Sequence, residues 1–230
     1  MVKNASVHID EVKLRQLMDV FLTENSKLNL TAMRTPELCW PGNILDSIAF
    51  LQAFETYPDL KKTKKLLDIG TGGGFPLLPL ALCLPDIQCI GVDATQKKID
   101  AVSRIIVTVG IPNASLVSGR TESLAHSAEY RAQFDLVTAR AVAPLSVLLE
   151  YAVPFLKVGG LCAFWKSTKI AQELAATADA QKMLSAPYVG NFLYALPDQW
   201  GERTIVFFKK TAETSSEYPR NVGVPKTKPL

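Results

Sequence analysis

The chain has 230 residues, 48% of them hydrophobic and 20% charged, with a net charge of +3. That is ordinary globular composition, long enough to bury a sizeable core as one domain with a small appendage. No apolar run reaches the roughly 18–20 residues that span a bilayer as a helix, and no membrane partner is expected.

The N-terminal stretch MVKNASVHIDEVKLRQ has no apolar h-region; no signal peptide is expected, and the expected compartment is the cytoplasm. Leu14, Leu17, Met18, Phe21 and Leu22 recur at helical spacing and predict an amphipathic helix. NILDSIAFLQAF (43–54) predicts another, and together they suggest a helical N-terminal cap over residues 1–62. From 63 to 212 short strands alternate with helices. KKLLDI (64–69) predicts a strand, a glycine loop follows, and then a helix with Pro76 in its first turn. QCIGV (88–92) predicts strand two. Residues 96–110 predict a helix with Ile99, Val102, Ile106 and Val109 on one face and Gly110 at its end. SLVS (115–118) and FDLVTA (134–139) predict strands three and four. Residues 143–160 predict a helix broken near Pro154 and closed by Gly159–Gly160, and LCAFW (161–165) predicts strand five. Residues 169–184 predict helix, with two further strands near 188–195 and 203–209. Residues 213–230 form a basic tail, expected to be loosely ordered until it meets RNA.

Repeating βαβ units imply an α/β fold with a seven-stranded, mostly parallel Rossmann-like sheet. The last two strands lack a long connecting helix, so one of them is expected to run antiparallel. Charge is uneven: residues 1–60 hold 5 Lys/Arg against 8 Asp/Glu, while YPRNVGVPKTKPL at the C-terminus carries Arg220, Lys226 and Lys228 and no acid. Cys39, Cys83, Cys89 and Cys162 show no metal-ligand spacing; buried reduced thiols and no metal are expected.

The stretch LLDIGTGGGFPLLPLAL (66–82) concentrates the chemistry. Gly70, Gly72 and Gly74 follow strand one, where backbone without Cβ atoms can turn sharply and lie against a ligand. A bare G-x-G fits dinucleotides, S-adenosylmethionine or a structural turn. Three details separate these. Asp68 precedes the first glycine in D-I-G-T-G. Asp93, with Thr95 beside it, ends strand two where an acid accepts from ribose hydroxyls. Thr121 and Glu122 follow strand three, where adenine is commonly held. Acid–Gly–x–Gly with a strand-two acid and that polar pair is the pattern of class I methyltransferases, whose cofactor is S-adenosylmethionine. No Walker A sequence is present.

Over nearly the whole chain, LNLTAMRTPELCWPGNILDSI, LLDIGTGGGFPLLPLA, SGRTE, TARAVAPL, FWKS, GERTIVFFKK and YPRNVGVPKTKPL resemble the small-subunit ribosomal RNA methyltransferase G family, also called glucose-inhibited division protein B. The resemblance implies methyl transfer from S-adenosylmethionine to N7 of one guanine in 16S rRNA, in a loop near the decoding centre of the small ribosomal subunit. It implies cofactor contacts at Gly70, Phe75, Thr121, Glu122 and Arg140, and places Arg120, Arg140, Lys166 and Arg203 on the substrate face. Arg220 joins them as a tail contact to rRNA. Two departures stand out: Asn43 where the family usually has histidine, and Leu77 where it usually has glycine.

Guanine N7 has a lone pair and no proton, so its methylation needs no general base. It needs alignment and accommodation of a purine becoming cationic. In keeping with this, the chain lacks an N/D-P-P-Y/F motif and a Pro-Cys nucleophile, and His8 and His126 lie away from every motif. Arg140, beyond strand four, is the expected catalytic residue, since an arginine stacks on a base and binds phosphate; a salt bridge to a neighbouring acid is the structural alternative. Three rivals remain at this stage. An NAD-dependent oxidoreductase would need a Tyr-x-x-x-Lys or a placed histidine. A non-catalytic rRNA-binding assembly protein would not need an intact glycine loop with both acids. A small-molecule methyltransferase fits the cap better than the basic tail.

Overall fold

Leu66, Leu67 and Ile69 alternate around Asp68, and all four are buried, as in a strand covered on both faces. The computed structural model describes residues 6–230; the first five residues of the expected cap lie outside the described residues. Helix α1 (Glu11–Leu28) is capped by Asp10, whose side chain accepts from the Lys13 N–H, and it buries Leu14, Leu17, Met18 and Phe21. The second cap element is irregular. It comprises α2 (Pro36–Cys39), a π-helical turn Trp40–Leu45, α3 (Asp46–Ile48) and α4 (Phe50–Thr56).

The α/β region follows as β1 (Lys65–Ile69), α5 (Leu77–Cys83), β2 (Gln88–Asp93), α6 (Gln96–Val109), β3 (Ala114–Ser118), α7 (Thr121–Leu124) and β4 (Phe134–Arg140). Then come α8 (Leu145–Ala152), β5 (Leu156–Ser167), α9 (Ala171–Ala175), α10 (Ala178–Met183), β6 (Tyr188–Leu196), β7 (Gly201–Lys209) and α11 (Val224–Thr227). The seven strands form one sheet in the order β3-β2-β1-β4-β5-β7-β6. β7 pairs antiparallel with both β5 and β6; the other pairings are parallel.

Period two sorts the core. Leu66, Leu136, Ala163, Trp165 and Phe207 face α1, the cap and α5, whereas Leu67, Val137, Cys162, Phe164 and Phe208 face α8 and the C-terminal segment. By the same alternation Asp68, Thr138 and Arg140 fall on the cap side. All four cysteines are free and buried, and burial pushes the Cys83 thiol up to about 12. No helix among the described residues is long and apolar enough to cross a membrane, and no group of three or more metal-binding side chains occurs among them.

Four local expectations change. Pro76 caps α5 from outside rather than sitting in its first turn. The helix after residue 143 ends at Ala152, passes through a single turn Val153–Phe155 around Pro154, and leads directly into β5. Gly159–Gly160 therefore form a bulge in β5, where Phe134 pairs with Leu156 but Leu136 with Leu161. The helical stretch from 169 is split by the buried Thr177 into α9 and α10. Finally, the tail is not loose: Tyr218 and Pro225 are buried, and residues 214–228 fold back against α7 and α8 through hydrogen bonds to Glu122, Arg131 and Glu150.

Candidate active site

The chain winds β1, β2, β3 in one direction across the sheet and β4, β5 in the other. Ligands of open α/β sheets lie at such a switch point, beyond the carboxyl ends of the strands. Here β1 leads into the glycine loop, and β4 ends on Arg140 itself rather than before it.

Backbone geometry shapes the loop. Gly70 and Gly72 have φ of +67° and +55°, a region that favours glycine. A Cβ on Gly70 would come within 2.7 Å of Val142; one on Gly72 would meet only the Gly70 carbonyl oxygen, at 3.7 Å, and would stand in open space. Asp93 braces the loop from β2: Oδ2 accepts from the Gly72 N–H at 3.0 Å and Oδ1 from the Thr95 N–H at 2.8 Å. Asp68 is fully buried, and burial pushes its carboxyl up to about 7 against the pull of the Thr138 hydroxyl, which donates to Oδ1 at 2.8 Å. Asp68 Oδ2 and the Thr71 hydroxyl are buried without a completed hydrogen bond.

Arg140 joins the sheet to the cap. Its Nη1 donates to the Gly42 carbonyl and to Asp46 Oδ2, both at 2.8 Å, and Nη2 donates to Asn43 Oδ1 at 2.7 Å. The guanidinium also lies 5.7 Å from the centre of the Phe75 ring. Gly42 and Asn43 are on the π-helical turn, an irregularity that often marks functional positions. Asp46 is fixed in turn: the Tyr194 hydroxyl donates to Oδ1 at 2.6 Å and Trp165 Nε1–H to its carbonyl at 2.9 Å. The structural alternative for Arg140, an ion pair with an acid, is thus realised.

Two adjoining cavities share Gly70, Asp93 and Val142. One, of about 340 Å³, is lined by the glycine loop, Asn43, Phe75 and Arg140. The other, of about 230 Å³, is lined by Arg120, Thr121, Glu122, Tyr151 and Lys226. Beyond Arg140 two more open at the ends of β4 and β5, with Asp46, Arg140 and Arg203 lining both. A cavity of about 300 Å³ at the opposite end of the sheet is lined by Asp59, Asp135, Lys157 and Lys209; its charges are already matched by the Lys209–Asp59 and Lys157–Asp135 pairs, and it lies at the amino ends of β4 and β5.

The structure therefore gathers Gly70, Gly72, Phe75, Asp93, Thr121, Glu122 and Arg140 around two adjoining cavities. Gly74 and Thr95 line neither cavity; Gly74 packs against Leu78, and Thr95 serves through its backbone N–H. Among the basic residues, Arg120, Lys166 and Arg203 border cavities. Lys166 also donates to the Ala143 carbonyl at 2.9 Å and to Glu173 at 2.6 Å, whereas Arg220 lines none of these cavities and grips the fully buried Glu150 at 2.6 Å. Sequence reasoning singles out Asn43 only as a departure, counts Lys226 only as tail charge and passes over Thr71. No local pattern marks Asn43 as a ligand of Arg140, because the two are 97 positions apart.

Comparison with known proteins places the whole chain. A family model described as rRNA small subunit methyltransferase G matches residues 10–191. The ribosomal RNA small subunit methyltransferase G of Streptococcus pyogenes serotype M12 (strain MGAS9429) is 38% identical over 207 residues, covering 90% of this chain and 85% of that protein. The protein of the same name from Alkaliphilus oremlandii is 34% identical over 228 residues, covering 98% and 94%. Among solved structures, the O-methyltransferase TomG from Streptomyces achromogenes, in complex with S-adenosylmethionine, superposes with a TM-score of 0.57 at 14% identity, covering 90% of this chain and 92% of that one. A putative O-methyltransferase from Klebsiella pneumoniae gives 0.58 at 18% identity, covering 85% and 90%.

Proposed function

The chain belongs to the rRNA small subunit methyltransferase G family and is an S-adenosylmethionine-dependent methyltransferase, and from this premise we propose that it methylates N7 of one guanine in 16S rRNA within the small ribosomal subunit. The observation that carries the reading is the position of Arg140, which lines the glycine-loop cavity and both cavities beyond it. It stands where a cofactor space meets a substrate space.

The residues present fit the cofactor. Gly72 leaves open the volume that a Cβ would fill, and Asp93 keeps free lone pairs after its two backbone hydrogen bonds. Gly70, Gly72 and Phe75 would line the methionine end, Asp93 the ribose, and Thr121 with Glu122 the adenine. When bound, the cofactor supplies an electrophilic methyl group on a sulfonium. The chain's own task is then alignment. Arg140 keeps the cap, with Asn43 and Asp46, fixed against the glycine loop. Asp46 lines both outer cavities with its carboxylate already paired to Arg140, so the pair sets the shape of the substrate space beside the glycine loop. Arg203, on the rim of the same cavities, is suited to a phosphate.

The test is methyl transfer from labelled S-adenosylmethionine to naked 16S rRNA and to small subunits lacking the modification, with the product located by mass spectrometry. A single 7-methylguanine is expected. Intact cofactor binding with no transfer to either acceptor would overturn the rRNA assignment and leave the cofactor site standing.

A further inference from the structure

The C-terminal segment is fastened far more firmly than an RNA-binding tail requires. Arg131 donates to the carbonyls of Thr214, Ser215 and Tyr218 at 2.8–2.9 Å. His126 Nε2 is 2.7 Å from the Pro219 carbonyl oxygen and, facing an acceptor, must donate. Arg220 gives three hydrogen bonds to Glu150, from its backbone N–H, Nε and Nη2, at 2.8, 2.9 and 2.6 Å. Glu150 has no exposed surface. A carboxylate in such a place is tolerable only when paired, so the domain needs the tail as much as the tail needs the domain.

The fastening has a direction. Beyond Arg220 the chain crosses to α7, where the Gly223 N–H donates to Glu122 Oε1 at 3.0 Å. It then places Lys226 in the lining of the cavity that holds Arg120, Thr121 and Glu122. We propose that residues 218–228 are part of the cofactor site: Gly223 holds Glu122 in place, and Lys226 closes the adenosine end with a hydrogen-bond donor. The proposal rests on the reading that the glycine-loop cavity and its neighbour hold S-adenosylmethionine. It moves the tail's purpose from the RNA to the nucleoside.

Calorimetric titration of the full-length protein with S-adenosylmethionine, and separately with 5′-methylthioadenosine, tests it. Lys226→Ala removes an exposed side chain and should leave the melting temperature unchanged. It should weaken both ligands about three- to tenfold, the size of one lost hydrogen bond, because methylthioadenosine retains the adenosine end. Arg220→Ala releases the whole segment and should weaken both about tenfold or more; if that variant fails to fold, Lys226→Ala decides alone. Wild-type affinity for both ligands in Lys226→Ala overturns the proposal, whether or not RNA methylation falls. A wild-type protein that does not bind S-adenosylmethionine overturns the cofactor reading as well, which separates the two failures.

Discussion

The opening at the switch point has two walls built on opposite logic. On the cap side an arginine from the sheet, Arg140, reaches out and is gripped by acceptors of the cap: Gly42, Asn43 and Asp46. On the tail side an arginine from the peripheral segment, Arg220, reaches in and grips a buried acid of the domain, Glu150. The cap wall contributes three acceptors on separate residues, one of them charged, beside the expected methyl-transfer centre. The tail wall places its charged contact on one buried carboxylate, Glu150, with Arg131 and His126 holding tail carbonyls beside it. Disturbing the first should harm catalysis and stability together. Disturbing the second should harm stability and cofactor affinity while leaving the reacting groups in place.

Arg140→Ala gives the sharpest break. It removes three hydrogen bonds and leaves Asp46, whose side chain is 11% exposed, without its cation. Loss of one partner from so buried a pair costs about 3–5 kcal/mol, and methyl transfer should fall by roughly 100-fold or more with the cap misaligned. Melting temperature and kcat/KM, measured together, should drop together; lost activity with unchanged stability would make Arg140 a substrate contact and not a cap anchor.

Asp68, fully buried in β1 ahead of the glycine loop, should show itself through pH. Its carboxyl is raised from 3.8 to about 7 by burial, so within that window the folded protein holds a proton that the unfolded chain has lost. Stability should therefore fall as pH rises through the window and level off above about 7. Wild type should lose on the order of 2–3 kcal/mol between about pH 5 and pH 8 that Asp68→Asn does not lose. Parallel denaturation profiles for the two proteins would show that Asp68 is ionised in the fold.

Glu150→Gln probes the tail wall. The amide keeps an acceptor for Arg220 but gives up the charge, so a loss of about 2 kcal/mol is expected, with the maximal rate preserved at saturating cofactor. A fall in kcat as large as that of Arg140→Ala would erase the distinction between the walls. Tyr194→Phe should have the smallest effect, about 1 kcal/mol for one hydrogen bond to Asp46, read by thermal melting. A loss matching Arg140→Ala would mean that Tyr194 and not Arg140 fixes Asp46.

Much of the fold is legible wherever the information is local. The strand-loop-helix at 65–83, the Gly110 terminus of α6 and the antiparallel strand near the C-terminus follow from period, glycine placement and connection length. Local reading fails where a partner decides. Gly159–Gly160 look like a helix terminus, but the register of β4 against β5 makes them a bulge. The tail looks disordered by its proline, glycine and charge, but Glu150, 70 positions earlier, holds it.

The candidate site divides in the same way. The sequence alone determined the glycine loop, the acids ending β1 and β2 and the polar pair after β3, because each depends on backbone freedom or on its place at a strand end. Only the tertiary structure decided that Arg140 is clamped by the cap, that Asp93 braces Gly72, and that Glu122 is held by the tail. These are hydrogen bonds between groups 21 to 101 positions apart. Such pairings depend on burial and on the meeting of distant segments, and neither is encoded in the neighbours of any one residue.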